Sequence, residues 1–310
     1  MPAIVNPILP TGADPWLVQH GGGWIFTCTR GNRLELIRAD SLAGLAGGEK
    51  RTVWTPPSEG PGSRDLWAPE LHFIDGRWII YYAASDGTGD AGRRMHAVVC
   101  SGAPMDGQWS YLGMLNTARP GLDGTVLEHR GHRYFLYAGY GDFPDHGSAV
   151  YIARMADAVT LTGGEVCLTQ PEYGWERQGG MPINEGPAIL RRGGRLFVVY
   201  SASTTWSEDY CLGMLTADED ADPMDPASWT KSPAPVFRKS AANRAMAPGH
   251  NSFCRFGGED LIAYHAIDAP GGQGDLDASK RSPRVQRVLW RADGSPDFGV
   301  PAPCGVPIEI

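Results

Sequence analysis

Five segments of the sequence each place an ionisable side chain just before a glycine that opens a short apolar run. These side chains belong to Asp14, Glu70, Asp123, Glu185 and His250, each six to nine residues before its glycine. A single acid in such a place is usually a turn residue or a cap. Ionisable residues at matching places in five segments instead indicate that five elements bring these groups together.

Carboxyl groups brought together in this way repel one another, and burial adds desolvation, so one or more of their pKa values must rise. Glycoside hydrolysis needs this pairing, with one protonated carboxyl as acid and one ionised carboxylate as base or nucleophile. The contexts GADPWL, GLDGTV and NEGPAIL are apolar and rich in Gly and Pro, which favours a buried site over a solvated face. The residue types therefore predict carboxylate-based hydrolysis.

The elements that position these groups form an internal repeat. Four copies carry a tyrosine six residues after the glycine, and a weaker copy carries Cys28 there. The copies are GGWIFTC, GRWIIYY, GHRYFLY, GRLFVVY and GEDLIAY, which begin at Gly22, Gly76, Gly131, Gly194 and Gly258. Each copy is typical of a hairpin turn followed by a strand rich in aromatic and β-branched residues.

Further strands surround each of these turns, and no stretch has an amphipathic helical period over three turns. Strand-like segments precede the turns as PWLVQ, PELHFI, TVLEH, PAILRR and NSFCRF. A hairpin plus one or two more strands in each period is typical of a propeller blade. We therefore predict an all-β, five-bladed β-propeller with residues 1–310 as one catalytic domain, closed by a strand from residues 1–13. A β-sandwich is the competing fold, but it requires no five-fold repeat.

In a propeller, the first strand of each blade lines the central channel, so the five ionisable groups should converge on one channel mouth. With these motifs the sequence resembles glycoside hydrolase family 43, the five-bladed arabinofuranosidases, arabinanases and xylosidases. The resemblance covers essentially the whole chain. It implies that Asp14 in ADPWL is the general base, that Asp123 in LDGT tunes the pKa of the acid, and that Glu185 in NEGPAIL is the general acid.

The resemblance also implies roles for other residues. His250 in PGHNSF should lie in the channel, beside a structural metal ion such as Ca²⁺ or an ordered water, and Glu70 in WAPEL should support the channel wall. Trp16 and Trp67 are candidates for the walls of a sugar pocket, with packing between blades as the alternative. Arg284 is a candidate contact to a sugar hydroxyl, with an ordinary surface arginine as the alternative.

More narrowly, LTADEDADPMDPASWTKSPAPVF, PGHNSF and RVQ are similar to the exo-acting α-1,5-L-arabinofuranosidase branch of that family. The implied activity is inverting release of terminal α-L-arabinofuranosyl residues from arabinan or arabino-oligosaccharides, with no required cofactor. The alternatives are a β-xylosidase or an arabinoxylan arabinofuranohydrolase of the same fold, and a carbohydrate-binding propeller without catalysis. A catalytic metal at His250 would need more ligands than the sequence offers there.

Composition excludes several partners. A net charge of -8 without a basic run argues against binding of nucleic acid or an anionic membrane. No apolar run exceeds seven residues, which is too short to span a bilayer. The first residues do not form a signal peptide, and the six cysteines form no C-x-x-C pair. These features predict a cytoplasmic chain with free thiols, or a secreted one if a leader has been removed.

Overall fold

The computed structural model describes residues 3–141 and 147–310. Five antiparallel sheets follow one another along the chain. The first strand of each sheet contacts the first strands of the sheets on either side, including the first and the last, so that the five form a closed ring. The predicted five-bladed β-propeller is therefore confirmed.

Each of the first four blades is a four-stranded meander in which every strand pairs with the next. Blade 1 comprises β2 (Ala13–His20), β3 (Gly23–Thr29), β4 (Leu34–Ala39) and β5 (Glu49–Trp54). Blade 2 comprises β6 (Arg64–Ile74), β7 (Arg77–Ser85), β8 (Arg94–Ser101) and β9 (Gln108–Met114). Blade 3 comprises β10 (Gly121–His129), β11 (His132–Tyr140), β12 (Ser148–Met155) and β13 (Leu161–Thr169). Blade 4 comprises β14 (Asn184–Arg192), β15 (Arg195–Ala202), β16 (Cys211–Asp218) and β17 (Thr230–Lys231).

Blade 5 has three paired strands, and the remaining short strands lie outside the five blade sheets. Its strands are β18 (Ala245–Phe256), β19 (Glu259–Asp268) and β20 (Ser282–Arg287). The short strands are β1 (Ala3–Val5), β21 (Leu289–Trp290), β22 (Pro296–Asp297) and β23 (Pro307–Glu309), in which β1 pairs with β23 and β21 with β22. Short 3-10 helices occupy Leu42–Gly47, Gly89–Gly92, Gly174–Glu176, Gln178–Gly180, Pro226–Ser228 and Ala278–Lys280.

The N-terminal segment closes the ring along the outer edge of blade 5. The amides of Ile8 and Gly12 donate to the carbonyls of Pro283 and Arg281. The side chain of Asn6 both donates to and accepts from the backbone of Val285. The expected contact is therefore present, although the residues involved pair irregularly rather than as a regular fourth strand.

The repeated glycine-to-tyrosine runs become the second strand of each blade, which explains their composition. In β7, every residue after the first is buried, because both faces of a blade pack against neighbouring blades. The core lies between the blades, where for example Tyr81 of blade 2 packs against Phe135 of blade 3. The outer strand β9 is mostly exposed or half-buried, as expected at the rim of the ring. All six cysteines are free thiols.

Candidate active site

A β-bulge interrupts the first strand of every blade at an equivalent place, and it directs the site residues. The pairing register shifts there in all five blades. At one such shift in each blade a residue has left-handed backbone: Asp14, Ala68, Asp123, Gly186 and His250, with φ of 58°, 44°, 58°, 53° and 48°. Blades 2 and 5 have a second shift earlier in the same strand. A bulge adds a residue to one strand and re-aims its side chains, which is why bulges are common beside functional sites.

The bulges correct the expectation that all five ionisable residues are equivalent. Asp14, Asp123 and His250 occupy the left-handed position, whereas Glu185 precedes it and Glu70 follows it by two residues. In blade 4 the left-handed residue is Gly186, where an added Cβ would lie 3.2 Å from Nδ1 of His250. A glycine there leaves room for the imidazole, and the acid stands one residue earlier.

The three predicted catalytic acids line one cavity of about 260 Å³, together with His250 and Trp67. All three acids are buried. A cavity of this size with a few converging polar groups is typical of a small-ligand site. The roles of the three acids in proton transfer remain predictions.

Asp14 is the acid with cationic and donor surroundings. Its carboxylate accepts a hydrogen bond from the hydroxyl of Thr29 at 2.5 Å and lies 3.6 Å from Nη1 of Arg281. Nδ1 of His250 and Nδ1 of His265 are 3.3 and 3.4 Å away. Burial alone would raise the pKa of Asp14, but His250, His265 and Arg281 together hold it below its usual range. Asp14 is therefore ionised at neutral pH.

The surroundings of Glu185 shift its pKa in the opposite direction. Burial, with the Asp14 carboxylate nearby, raises the pKa of Glu185 to about 7. The hydroxyl of Tyr210 donates to Oε1 at 2.7 Å and opposes this rise, because it stabilises the carboxylate. Glu185 can therefore hold a proton near neutral pH and release it, as a general acid must.

Asp123 is close enough to both of these acids to be repelled by them. Its carboxylate accepts from the amide of Gly186 at 3.2 Å and is 3.8 Å from Nδ1 of His250. Burial and repulsion from Glu185, Asp14 and Glu70 raise the pKa of Asp123 well above its ordinary value. The repulsion is mutual, so it also favours a proton on Glu185. The expectation that Asp123 stays ionised, with the proton on Glu185, remains a prediction.

The surroundings of His250 do not fit a Ca²⁺ ion held directly by protein side chains. Ca²⁺ takes six to eight oxygen ligands, whereas His250 has the imidazole of His265 and two acids of the site around it. Residues 3–141 and 147–310 contain no group of three or more His, Cys, Asp or Glu side chains able to hold a metal ion. Nε2 of His265 is buried without a hydrogen-bond partner in those ranges, which suits a water molecule better than a hard cation.

Three other predicted site residues, Glu70, Trp16 and Arg284, are not among the described residues that line the cavity. Glu70 is buried and lies 2.8 Å from Nε2 of His72, and burial raises its pKa. The indole of Trp16 packs on His72 and donates to the carbonyl of Leu71, so it takes the packing role that was the alternative. Trp67 does line the cavity, with the Arg93 guanidinium 3.5 Å above its ring.

The placement of Arg284 corrects its expected contact with sugar. Arg284 is fully buried and donates to the carbonyl of Ala302. It lies in the middle of β20 and is not among the described residues that line the cavity. Arg281, which precedes β20, lines the cavity instead.

Sequence reasoning also missed Asp90 and Trp206, which both line the cavity. Asp90 accepts from Nε of Arg93 and from the hydroxyl of Tyr140. Both residues lie between the second and third strands of their blades, outside the repeated segments. Nothing in the repeat pattern points to them.

Comparisons with known proteins show which proteins this chain is similar to. The family model of glycosyl hydrolases family 43 matches residues 4–296. An extracellular exo-α-(1→5)-L-arabinofuranosidase of Streptomyces avermitilis is 38% identical over 97% of this chain and 64% of its own length. α-L-Arabinofuranosidase 43 of Humicola insolens is 39% identical over 99% of this chain and 65% of its own. This chain thus spans about two thirds of the length of these two relatives.

Among solved structures, an α-L-arabinofuranosidase from Lactobacillus brevis superposes with a TM-score of 0.90 at 39% identity, covering 98% of both chains. Because the Streptomyces avermitilis relative is named extracellular, the comparisons do not support the expected cytoplasmic location. Within the described residues, no helix is long and apolar enough to cross a membrane.

Proposed function

This chain belongs to glycosyl hydrolases family 43, and from that premise we propose that it is an inverting exo-α-1,5-L-arabinofuranosidase. The proposed substrates are arabinan and arabino-oligosaccharides, from which it releases terminal α-L-arabinofuranosyl residues. The similarity to relatives named as arabinofuranosidases supports the sugar, and the name of the Streptomyces avermitilis relative supports the linkage.

One observation carries the proposal. The cavity holds two acids with opposite pKa shifts, Asp14 below its usual range and Glu185 raised to about 7. Two carboxyls whose environments separate their pKa values can serve as the base and the acid of a hydrolase. The pKa of Asp123 is raised as well, and the family resemblance assigns the acid to Glu185. A non-catalytic sugar-binding propeller would need no such separation.

In the proposed reaction, a water molecule attacks the anomeric carbon. Ionised Asp14 takes a proton from this water as the water oxygen bonds to the carbon. The bond from that carbon to the glycosidic oxygen breaks, and Glu185 donates its proton to the departing oxygen. Water attacks the face opposite the leaving group, so the anomeric configuration inverts. Water is the only co-reactant, and no cofactor enters the reaction.

Analysis of products from linear arabino-oligosaccharides tests the proposal. At early times we expect arabinose, released from chain ends, and the oligosaccharide shortened by one unit as the only new products, with the β-anomer of arabinose appearing first in proton NMR spectra. An aryl β-D-xylopyranoside serves as the control substrate and should be hydrolysed much more slowly. Early accumulation of arabinobiose from chains of five or more units would contradict exo action, and early α-anomer would contradict inversion.

A pair of substitutions with opposite expected signs tests the electrostatics around Glu185. Because the acid must be protonated, kcat/KM should fall above a pKa of about 7. With Asp123 ionised, as predicted, Asp123→Asn removes a repelling negative charge, so this alkaline limb should move to lower pH. Tyr210→Phe removes the hydrogen bond that stabilises the carboxylate, so the limb should move to higher pH.

Each shift should be about one pH unit, equivalent to about 1.4 kcal/mol of interaction. The measurement is the pH profile of kcat/KM for wild type and both variants on one substrate. A lower rate alone does not show that Asp123 tunes the pKa of Glu185, because Asp123→Asn also removes a hydrogen-bonding group that could contact the sugar. An alkaline limb that stays in place in Asp123→Asn would mean that Asp123 does not tune the acid.

A further inference from the structure

One loop reaches both the proposed acid and the rim of the cavity. This loop, residues 203–210, joins β15 to β16 in blade 4 and is called here the acid-side loop. At its end, Tyr210 donates to Glu185 at 2.7 Å, and at its centre Trp206 lines the cavity. Because Glu185 protonates the departing oxygen in the proposed reaction, the leaving group must lie on this side.

Trp206 offers an exposed aromatic surface there. It is 39% exposed, and its indole N–H donates to the carbonyl of Gly179 at 3.3 Å, which fixes the orientation of the ring. Among the residues that the structure describes, no aromatic ring or cation stacks on it. Trp67 differs, because the Arg93 guanidinium covers one face of its indole. The indole of Trp206 is therefore free to pack against the apolar face of a sugar.

A buried carboxylate holds the acid-side loop in place. Glu208 is only 7% exposed, and its Oε2 accepts from the amides of Gly272 and Gln273 at 2.8 and 2.9 Å. Its Oε1 pairs with Nζ of Lys239. Hydrogen bonds from two consecutive amides to one charged oxygen are strong, and they tie blade 4 to a loop of blade 5.

Backbone hydrogen bonds extend this tie on both sides of Glu208. The amide of Glu208 donates to the carbonyl of Gly274 at 2.9 Å, and the amide of Leu276 donates to the carbonyl of Trp206 at 2.6 Å. Trp206 is thus fixed both through its indole and through its main chain. Its position depends on the blade-5 loop of residues 272–276.

On the basis of the proposed function, we propose that Trp206 is a specificity-determining residue that packs against the first sugar of the leaving group, and that Glu208 is its positioning residue. The ligand is a furanose linked beyond the cleaved bond. The terminal sugar that is released makes its contacts deeper in the cavity, with the three acids. Trp206 should therefore matter only for substrates that have a sugar as leaving group.

Two substrates separate these contributions. Methyl α-L-arabinofuranoside has no leaving-group sugar, whereas α-1,5-arabinobiose has one. Trp206→Ala should lower kcat/KM for arabinobiose about 10-fold, mainly through KM, and change the value for the methyl glycoside less than about 2-fold. Trp206→Phe keeps a flat aromatic face, so it should recover most of the loss and keep the test decisive if the alanine variant misfolds.

Glu208→Ala should change the same ratio of the two kcat/KM values in the same direction. Asp209→Asn is the matched control, because Asp209 pairs with the same lysine at 2.8 Å but accepts no hydrogen bond from the blade-5 loop. It should leave the ratio within about 2-fold of wild type. Equal losses on both substrates in the Trp206 variants would overturn the inference, while activity on the methyl glycoside would still support the proposed function.

Discussion

Asp14→Ala is expected to lower kcat by up to roughly 10⁴-fold on every arabinofuranoside, whatever the leaving group. The base acts on the attacking water in the one bond-changing step, so a better leaving group does not replace it. Sodium azide should restore part of the activity, because an anionic nucleophile needs no deprotonation. The product of that rescue should be β-L-arabinofuranosyl azide, detectable by mass spectrometry and by NMR.

Asp90→Ala provides the control for this experiment, because Asp90 is another carboxylate on the wall of the same cavity. It should show no rescue by azide, since it is bound to Arg93 and Tyr140 rather than aimed at an attacking water. If azide rescued Glu185→Ala and left Asp14→Ala inactive, the acid and base assignments would have to be exchanged.

Glu185→Ala should separate substrates by their leaving groups. An alkoxide leaving group needs a proton, so kcat/KM on arabinobiose should fall by on the order of 10³-fold. A nitrophenolate departs with little help, so nitrophenyl α-L-arabinofuranoside should lose less than about 10-fold. Because the titrating acid is gone, the fall of kcat/KM above a pKa of about 7 should also disappear.

Activity on both substrates and the pH profile of kcat/KM should be measured on the same enzyme preparation. Tyr210→Phe is the matched variant, because it leaves the carboxyl in place and should keep activity on both substrates. Equal losses of activity on arabinobiose and on the nitrophenyl glycoside in Glu185→Ala would refute the role of Glu185 as general acid.

The fold was predictable from the sequence because each blade repeats one pattern. The second strands are buried on both faces, so they read as apolar runs with a tyrosine or cysteine at a fixed place. Packing between blades enforces that pattern five times. The closing segment was less predictable, because it pairs through the side chain of Asn6 and through isolated amides, which leave no strand pattern.

The acids of the site were predictable only in part. The spacing between each acid and its repeat glycine contains no sign of the bulge. By spacing alone, Glu70 therefore looks equivalent to Asp14 and Asp123. The left-handed residue of each bulge is the second residue of a tetrapeptide. These tetrapeptides are ADPW, WAPE, LDGT, EGPA and GHNS. Arg281 and Trp206 lie on loops between strands, where position depends on hydrogen bonds to distant residues and not on any repeat.

The first strands of the five blades place one left-handed residue each at equivalent positions around the ring, and equivalent positions do not by themselves distinguish a base from an acid. Hydrolysis has a direction, since a proton leaves water on one side and reaches an oxygen on the other. The surroundings of each acid make the distinction: Arg281 and two imidazoles beside Asp14, and a phenol beside Glu185. The polarity of the site is therefore set largely by Arg281, His265 and Tyr210, which lie outside the equivalent positions.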